Sequence, residues 1–200
     1  MRYTGEPKRL YEFMDHFFVQ CPICFDRAEI RVPYFLELKK AQLFCSSCHF
    51  AENMEDRKRY IFAGKAKCQN CLEWLDLTIK GRKKIPKYVD IKCKECLMIN
   101  KVRENWTVTY LKYHTEGIID PAFGISLWLI GELRGLVIWA YNMKHLNEIE
   151  SYVSSKLRER TTDQYKMTMV ERLPDFIKNA KNRDEIIRVI SHIKEKSNNI

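Results

Sequence analysis

All eight cysteines of this 200-residue chain lie in four Cys-x-x-Cys pairs. Stretches of 20, 19 and 21 residues separate the pairs, which are Cys21 with Cys24, Cys45 with Cys48, Cys68 with Cys71, and Cys93 with Cys96. Two cysteines at this spacing can present both thiolates to one ion, and two pairs complete the four-sulfur tetrahedron that structural zinc prefers. The spacing therefore predicts two Zn²⁺ ions per chain, each in a closed shell.

The pairs can combine in two ways. Sequential pairing joins the first two pairs on one metal and the last two on the other, whereas interleaved pairing gives one cross-braced module. Sequential pairing is favoured because each half then reads as a pair, a strand, a turn, a strand and a pair, which is a zinc ribbon. In the second half, residues Trp74–Ile79 and Tyr88–Lys92 alternate as strands do, and 80–84 forms the turn between them.

Disulfide formation and iron binding are alternatives to zinc for these cysteines. The sequence lacks the pattern of a secretory signal at Met1, so we expect reduced cysteines and a cytoplasmic protein. A rubredoxin-like iron site uses the same ligands and stays open as a weaker alternative. Rubredoxin pairs usually carry glycine after the second cysteine, and here those positions are Phe25, His49, Leu72 and Leu97.

The rest of the chain predicts an α+β region after the ribbons. We expect residues 1–103 to hold the two small metal-bound β ribbons and a short helical lead-in, with Leu10, Phe13 and Phe17 at helical spacing. Residues 104–124 form a connector, and residues 125–200 form a β-hairpin plus helices.

The hairpin prediction fixes a register. Strands Ser126–Leu133 and Leu136–Asn142 flank Arg134-Gly135, which fits a two-residue turn. The opposed pairs are then Trp128 with Tyr141, Ile130 with Trp139, and Glu132 with Val137. The aromatic face of Trp128, Trp139 and Tyr141 is either core or a binding surface, and core is favoured.

Three helical signals follow the hairpin. Asn142 can cap a helix over Met143–Arg160, whose apolar residues fall on one stripe. Thr168 with Glu171 forms a capping-box pattern. The last helix is predicted over about Arg183–Lys196.

Positive charge is concentrated in the first part of the chain. Residues 1–115 contain 22 Lys plus Arg and 14 Asp plus Glu, a net of +8 out of +9. Two zinc–tetrathiolate centres, each formally −2, lower this to about +4. No acid interrupts the sequence between Asp76 and Asp90, which holds the basic residues Lys80, Arg82, Lys83, Lys84 and Lys87.

This basic segment predicts binding to DNA or RNA phosphates, with Trp74 and Tyr88 nearby for base stacking. A solvated hairpin end explains the same lysines equally well. A protein-binding adaptor built on rigid ribbons is the alternative function, and an iron electron carrier is a weaker one.

The sequence shows no catalytic constellation. The five histidines have no metalloprotease or nuclease spacing, and there is no glycine-rich phosphate loop. Closed metal shells leave no position for a substrate. We therefore expect a non-enzymatic protein with no small-molecule substrate, and no segment is long and apolar enough for a membrane.

Two stretches resemble known proteins. The cysteine pairs of residues 21–100 resemble bacterial tandem zinc-ribbon proteins, whose ribbons are likened to those of general transcription factor IIB and of the primosomal helicase. Segments such as Leu136–Asn142 and Ala180–Glu185 resemble the tail of an uncharacterised bacterial zinc-ribbon family. The resemblance implies a bacterial cytoplasmic protein and carries over no catalytic residue. The basic tip departs from transcript-cleavage ribbons, whose tips present adjacent acids.

Overall fold

The computed structural model of the chain describes residues 3, 8–62, 65–77, 81–103, 106–155 and 168–198. The chain packs as two units. The first unit joins Met1–Met54 to Lys112–Ile200, and the second is Glu55–Leu111. The first unit thus holds four cysteines together with the C-terminal helices, and the second unit holds the other four.

The described residues form ten strands and three α-helices, with the following bounds. The strands are β1 His16–Gln20, β2 Arg27–Arg31, β3 Gln42–Cys45, β4 Ala51–Asn53, β5 Lys58–Phe62, β6 Val89–Lys92, β7 Ile99–Val102, β8 Trp106–Tyr110, β9 Leu129–Leu133 and β10 Leu136–Ala140. The helices are α1 Met143–Ser154, α2 Asp175–Lys178 and α3 Arg183–Asn198. Short 3₁₀ turns include Leu10–Phe13, Val170–Arg172 and Ala180–Asn182.

The division into units differs from the one drawn from the sequence, which grouped both ribbons in residues 1–103. Backbone hydrogen bonds between distant residues explain the difference. The Phe18 N–H donates to the Tyr141 carbonyl at 2.8 Å, and the Trp128 N–H donates to the Phe18 carbonyl at 2.8 Å. Strand β1 therefore belongs with the hairpin region, more than 100 residues later in the chain.

The first ribbon is a four-stranded antiparallel sheet in the order β1-β2-β3-β4. Alternation places Phe17, Val19, Ile30 and Leu43 in the interior. In the described part of the lead-in, the helical residues are Leu10–Phe13, and the predicted helical stripe through Phe17 is instead a strand.

The hairpin of β9 and β10 has the predicted register. Ile130 pairs with Trp139, and Glu132 pairs with Val137. Arg134 and Gly135 have φ of 52° and 78°, the left-handed values that a two-residue turn of this kind needs. The first strand begins at Leu129 rather than at 126, because the preceding residues bond to β1.

Helix α1 begins as predicted and ends earlier. The Asn142 side-chain oxygen accepts the His145 backbone N–H at 3.0 Å, and its amide donates to the carbonyls of Phe13 and His16. The helix ends at Ser154 because Ser155 is extended, and the predicted continuation over 156–160 lies outside the described residues. The Thr168–Glu171 capping box forms, at the start of the 3₁₀ turn Val170–Arg172.

The hairpin, α1 and α3 enclose the main core of the first unit. Helix α3 packs on β9 and α1, and it approaches β9 so closely that a Cβ on Gly131 would lie 2.6 Å from Val189 Cγ1. Trp128 and Tyr141 pack against this core, as the core interpretation of the aromatic face expects. Its buried members are Phe13, Leu129, Ile138, Ala140, Leu146, Ile149, Val153, Met169, Leu173, Ile177, Ile186, Ile190 and Ile193.

The second unit contains two antiparallel pairs, β5 with β8 and β6 with β7. The predicted strand Trp74–Ile79 is not seen in its described part, where Trp74 forms only an isolated bridge to Lys67. Residues 78 and 79 of that predicted strand lie outside the described ones. Strand β6 pairs instead with β7, across the last cysteine pair.

The basic segment after residue 80 was predicted as the free tip of a hairpin, but the structure pairs its start with another strand. The Arg82 backbone pairs with that of Tyr60 in β5, with N···O distances of 2.9 and 2.7 Å. This pairing fixes the start of the segment and leaves its side chains in solvent. None of the helices in the described ranges is long and apolar enough to cross a bilayer.

Candidate metal centres and nucleic-acid interface

The structure gathers the eight cysteines into two groups of four. Each group is formed by two sequential pairs, and its sulfur atoms all lie within 4.8 Å of one another. The first contains Cys21, Cys24, Cys45 and Cys48, and the second contains Cys68, Cys71, Cys93 and Cys96. This is the sequential arrangement rather than the cross-braced one.

The sulfur separations fit a tetrahedral metal. Sγ–Sγ distances are 3.6 Å for Cys21–Cys48 and 3.5 Å for Cys24–Cys45. The second group has 3.5 Å for both Cys68–Cys96 and Cys71–Cys93. Zn–S bonds of about 2.3 Å at tetrahedral angles give about 3.8 Å between sulfurs, whereas a disulfide needs roughly 2 Å. Each group can therefore hold one metal ion.

Each cysteine pair is a tight turn whose last residue has a left-handed backbone. Phe25, His49, Leu72 and Leu97 have φ of 64°, 60°, 63° and 65°. This conformation costs a non-glycine residue on the order of 1 kcal/mol, and these are the positions that rubredoxin pairs usually give to glycine. The turn aims backbone N–H groups at sulfur, as in Ile23 N–H to Cys21 Sγ at 3.4 Å. Such bonds stabilise thiolate charge.

In the second group, the thiols of Cys68 and Cys71 have very different pKa values. The backbone N–H of Cys71, aided by the Asn100 side chain, outweighs burial and lowers the pKa of Cys68 to about 6. The Glu73 N–H lowers the pKa of Cys71, but burial and the neighbouring thiols raise it to about 12. A metal binds thiolates, so binding at this group releases the proton of Cys71.

The first group follows the same pattern. The Asp26 N–H lowers the pKa of Cys24, but burial and the neighbouring thiols raise it to about 12. Burial raises the pKa of Cys45, but the Cys48 N–H and other hydrogen bonds lower it to about 7. Both groups thus offer a ready thiolate to an incoming cation.

Asn100 supports the second group and was missed by sequence reasoning. It is buried in β7, and its amide nitrogen lies 3.5 Å from Cys68 Sγ. Its side-chain oxygen accepts the Gln69 N–H at 2.8 Å, which fixes the turn between Cys68 and Cys71. The only signal was its place four residues after Cys96, which is too weak to separate it from a surface asparagine.

The basic segment is exposed. Arg82, Lys83, Lys84 and Lys87 lie on the surface, and within the described residues their side chains form no ion pair. Lys80, the fifth predicted phosphate contact, lies outside the described residues. The four described cations are thus free to meet phosphates.

Both predicted stacking residues are exposed and accompanied by lysines. The Trp74 ring is 61% exposed, and Lys67 Nζ lies 5.0 Å and Lys65 Nζ 6.0 Å from its centroid. The Tyr88 ring is 38% exposed, with Lys101 Nζ at 4.7 Å. Sequence reasoning did not include these three lysines, because only the fold brings them to the rings.

The charge of the chain is concentrated in the second unit. Residues 55–111 contain 14 Lys plus Arg and 7 Asp plus Glu, which gives +7 of the total +9. The remaining residues carry +2. A divalent ion held by four thiolates in each unit would leave about +5 on the second unit and about zero on the first.

The surface of the second unit also has apolar side chains. Leu72 and Leu97, each directly after a cysteine pair, are 68% and 61% exposed. Ile99 is exposed as well. Large apolar side chains in solvent are a feature of protein-docking surfaces as well as of nucleic-acid stacking surfaces.

A scan against protein-family models and searches of curated proteins and of solved structures found no match to this chain. The resemblance to bacterial zinc-ribbon proteins, and the bacterial and cytoplasmic setting that it implies, stay predictions.

Proposed function

We propose that this chain is a non-enzymatic zinc protein that binds single-stranded nucleic acid through its second unit. The observation that carries the proposal is the combination of unpaired cations and exposed aromatic rings in one small unit. Arg82, Lys83, Lys84 and Lys87 supply charge for phosphates, and Trp74 and Tyr88 supply flat apolar faces for bases. A positively charged surface with stacking platforms is the usual design for single strands.

The energetics favour unpaired bases over a duplex. Stacking of one base on an aromatic ring is worth about 1–3 kcal/mol, and a base inside a duplex cannot reach Trp74 or Tyr88 without being unstacked. Lys67 Nζ lies 5.0 Å from the Trp74 ring centroid and Lys101 Nζ 4.7 Å from that of Tyr88, so each ring has a cation nearby that adds to the attraction for phosphates. Phosphate contacts then add affinity that weakens as salt rises.

Zinc is the proposed metal at both centres. Four thiolates in a closed tetrahedron suit zinc in a structural role, with no position left for a substrate. A rubredoxin-like iron centre is the rival. Elemental analysis of the purified protein should give two zinc ions per chain and a colourless solution, and stoichiometric iron with a red colour would overturn this assignment.

The binding test uses fluorescence anisotropy with labelled single-stranded DNA and RNA and a duplex of the same length. We expect the single strands to bind more tightly at about 50 mM salt, with a logarithmic salt slope of about −0.7 per phosphate contact. Lys83→Glu with Lys84→Glu should abolish binding, and Trp74→Ala should weaken it about 10-fold while Trp74→Phe retains most of it.

Lys39→Glu with Lys40→Glu is the matched control, because it makes the same charge change in the first unit. The control should bind as the unchanged protein does, and both variants should keep two metals. The proposal fails if neither nucleic acid binds, or if the control pair loses as much affinity as the test pair.

A protein-docking function is the second candidate, and the exposed Leu72 and Leu97 favour it. Glycine at these positions relieves the left-handed backbone and removes the apolar side chain. If the unit docks on a protein, Leu72→Gly with Leu97→Gly should remove a captured partner without loss of stability or metal. Under the nucleic-acid proposal, the same variant should keep most of its affinity for single strands.

A further inference from the structure

A cavity of about 90 Å³ lies in the first unit, between β10, the start of α1 and the segment that leads into α2. Its wall is largely apolar and includes Val137, Trp139, Met169, Leu173 and Ile177. An engineered apolar cavity of about 150 Å³ binds benzene, so a cavity of about 90 Å³ fits a hydrocarbon group of about three or four carbon atoms. Two polar side chains, His145 and Arg172, complete the lining.

His145 is only 2% exposed, and among the described residues only one of its ring nitrogens has a hydrogen-bond partner. Nδ1 accepts the backbone N–H of Tyr141 at 3.2 Å, so the neutral ring carries its proton on Nε2. Nε2 makes no hydrogen bond within the part of the chain that the structure describes. Because the ring lines the cavity, this N–H donor is available to a ligand there.

The ring of His145 is held in place. It stacks on Phe13 with centroids 4.9 Å apart and meets Trp139 edge-on at 5.7 Å. Burial lowers the pKa of His145 to about 4, against a smaller opposing effect of Glu148. That carboxylate is itself bonded to Lys8 at 3.0 Å and to the Tyr3 hydroxyl. The imidazole is therefore a neutral, fixed donor at physiological pH.

Arg172 provides charge at the same cavity. Its side chain is exposed, and among the described residues its guanidinium forms no ion pair or hydrogen bond. No carboxylate belongs to the lining. A cation and a buried N–H donor beside an apolar chamber are complementary to an anion with a hydrocarbon body.

We propose that this cavity binds a small organic acid, with its hydrocarbon body against Val137 and Leu173 and its carboxylate shared by His145 Nε2 and Arg172. The proposal is independent of nucleic-acid binding, because every residue of the cavity belongs to the first unit. A short branched acid of four or five carbons matches the volume.

The test uses isovalerate as the probe and isovaleramide as its neutral analogue of the same shape. Two-dimensional NMR of the zinc-loaded protein follows the His145 ring and the Trp139 indole during each titration. We expect saturable shifts of both groups with isovalerate at about 1 mM or below, and at least about 10-fold weaker binding of the amide.

Arg172→Leu should lower the affinity for isovalerate about 10-fold and leave the weak affinity for the amide unchanged, whereas Arg172→Lys should restore part of the loss. Arg188→Leu is the matched control, since it removes an exposed arginine of the same unit in α3. Because Arg172 is exposed, its replacement should leave the fold and both metals intact.

Three results would overturn the proposal. One is the absence of saturation up to about 10 mM isovalerate, which would mean that the cavity holds only water. Another is equal binding of the acid and the amide, which would show that no anion is recognised. The last is equal loss of affinity in Arg172→Leu and Arg188→Leu, which would assign the effect to overall charge.

Discussion

The two groups of four cysteines have nearly the same spacing and the same sulfur geometry, but they lie in very different surroundings. The first shares its unit with a four-stranded sheet and with a core cluster of 13 buried residues. Among the described residues of the second unit, the buried cluster has five members, and two of them are Cys68 and Cys93 of the second cysteine group. A metal in the first group would therefore add to a fold with its own core, whereas a metal in the second group would be a large part of the core of its unit.

The net charge also differs between the two units. The second unit, which depends most on its metal, also carries +7 of the net charge of +9. Close-packed like charges oppose a small fold, and a tetrathiolate centre offsets part of that repulsion.

The largest difference between the two units should appear when one metal ligand of either unit is replaced. Structural zinc contributes on the order of 10 kcal/mol in small domains, more than a five-residue cluster supplies. Cys68→Ser should therefore abolish amide-exchange protection throughout residues 55–111. Cys21→Ser should also lose one metal, but β9, β10 and α3 should stay protected. Hydrogen exchange by mass spectrometry checks both, and retained protection of β6 in Cys68→Ser would contradict the comparison.

Acid should weaken the first unit through His145. Its pKa is about 4 in the folded protein and 6.5 when the residue is exposed. Between these values the unfolded chain binds the proton and the folded one does not, so the free energy of unfolding falls as pH drops from 6.5 to 4. The loss amounts to about 3 kcal/mol.

Urea unfolding of the first unit at several pH values measures this effect. His145→Phe keeps the stacked ring and cannot titrate, so its stability should fall less over the same window. Both proteins have the same metal ligands, and the difference between their curves therefore isolates the histidine. Parallel curves would show that His145 does not couple folding to pH.

A smaller effect is expected where α3 crosses β9. In Gly131→Ala the new methyl group would lie 2.6 Å from Val189 Cγ1 and 2.9 Å from Ile193 Cδ1, which should cost about 1–3 kcal/mol of unfolding free energy. Adding Val189→Ala should recover part of the loss by making room. Thermal unfolding checks both variants. An equally destabilised second unit would mean that the effect is not confined to this contact.

The smallest expected effect concerns Asn100. Asn100→Ala removes its hydrogen bonds to Cys68 Sγ and to the Gln69 N–H, and the metal affinity of the second centre should fall about 10-fold. The first centre is the internal control and should be unchanged. Competition with a coloured chelator measures metal release from the two centres. Equal release from both would show that Asn100 does not support metal binding at the second centre.

The sequence predicted the features that depend on short-range spacing. Two cysteines three positions apart can reach one ion without knowledge of the rest of the fold. The register of β9 and β10 follows from Arg134-Gly135, since a two-residue turn permits one alignment. The capping roles of Asn142 and Thr168 were predicted for the same reason, because each bonds to a residue three positions later.

The features that were not predicted depend on distant partners. Strand β1 joins the hairpin through Phe18 and Tyr141, and no local pattern encodes that pairing. Asn100 and His145 are buried polar residues. Hydrogen bonds to residues brought near by the fold offset the cost of burying them. Lys67 and Lys101 looked like ordinary surface lysines until the fold placed them beside Trp74 and Tyr88.

The insertion of one unit within the other sets an order for folding during synthesis. All of residues 55–111 have been made before the last segment of the first unit begins. At about 5–20 residues per second, the ribosome needs on the order of 10 s to continue from residue 112 to residue 198. During that interval the second unit can bind its metal and fold, while Phe18 in β1 still waits for the hairpin that bonds to it. We therefore expect the yield of folded protein to depend on metal supply while residues 55–111 fold, and on how well β1 is kept from other contacts until the hairpin is made.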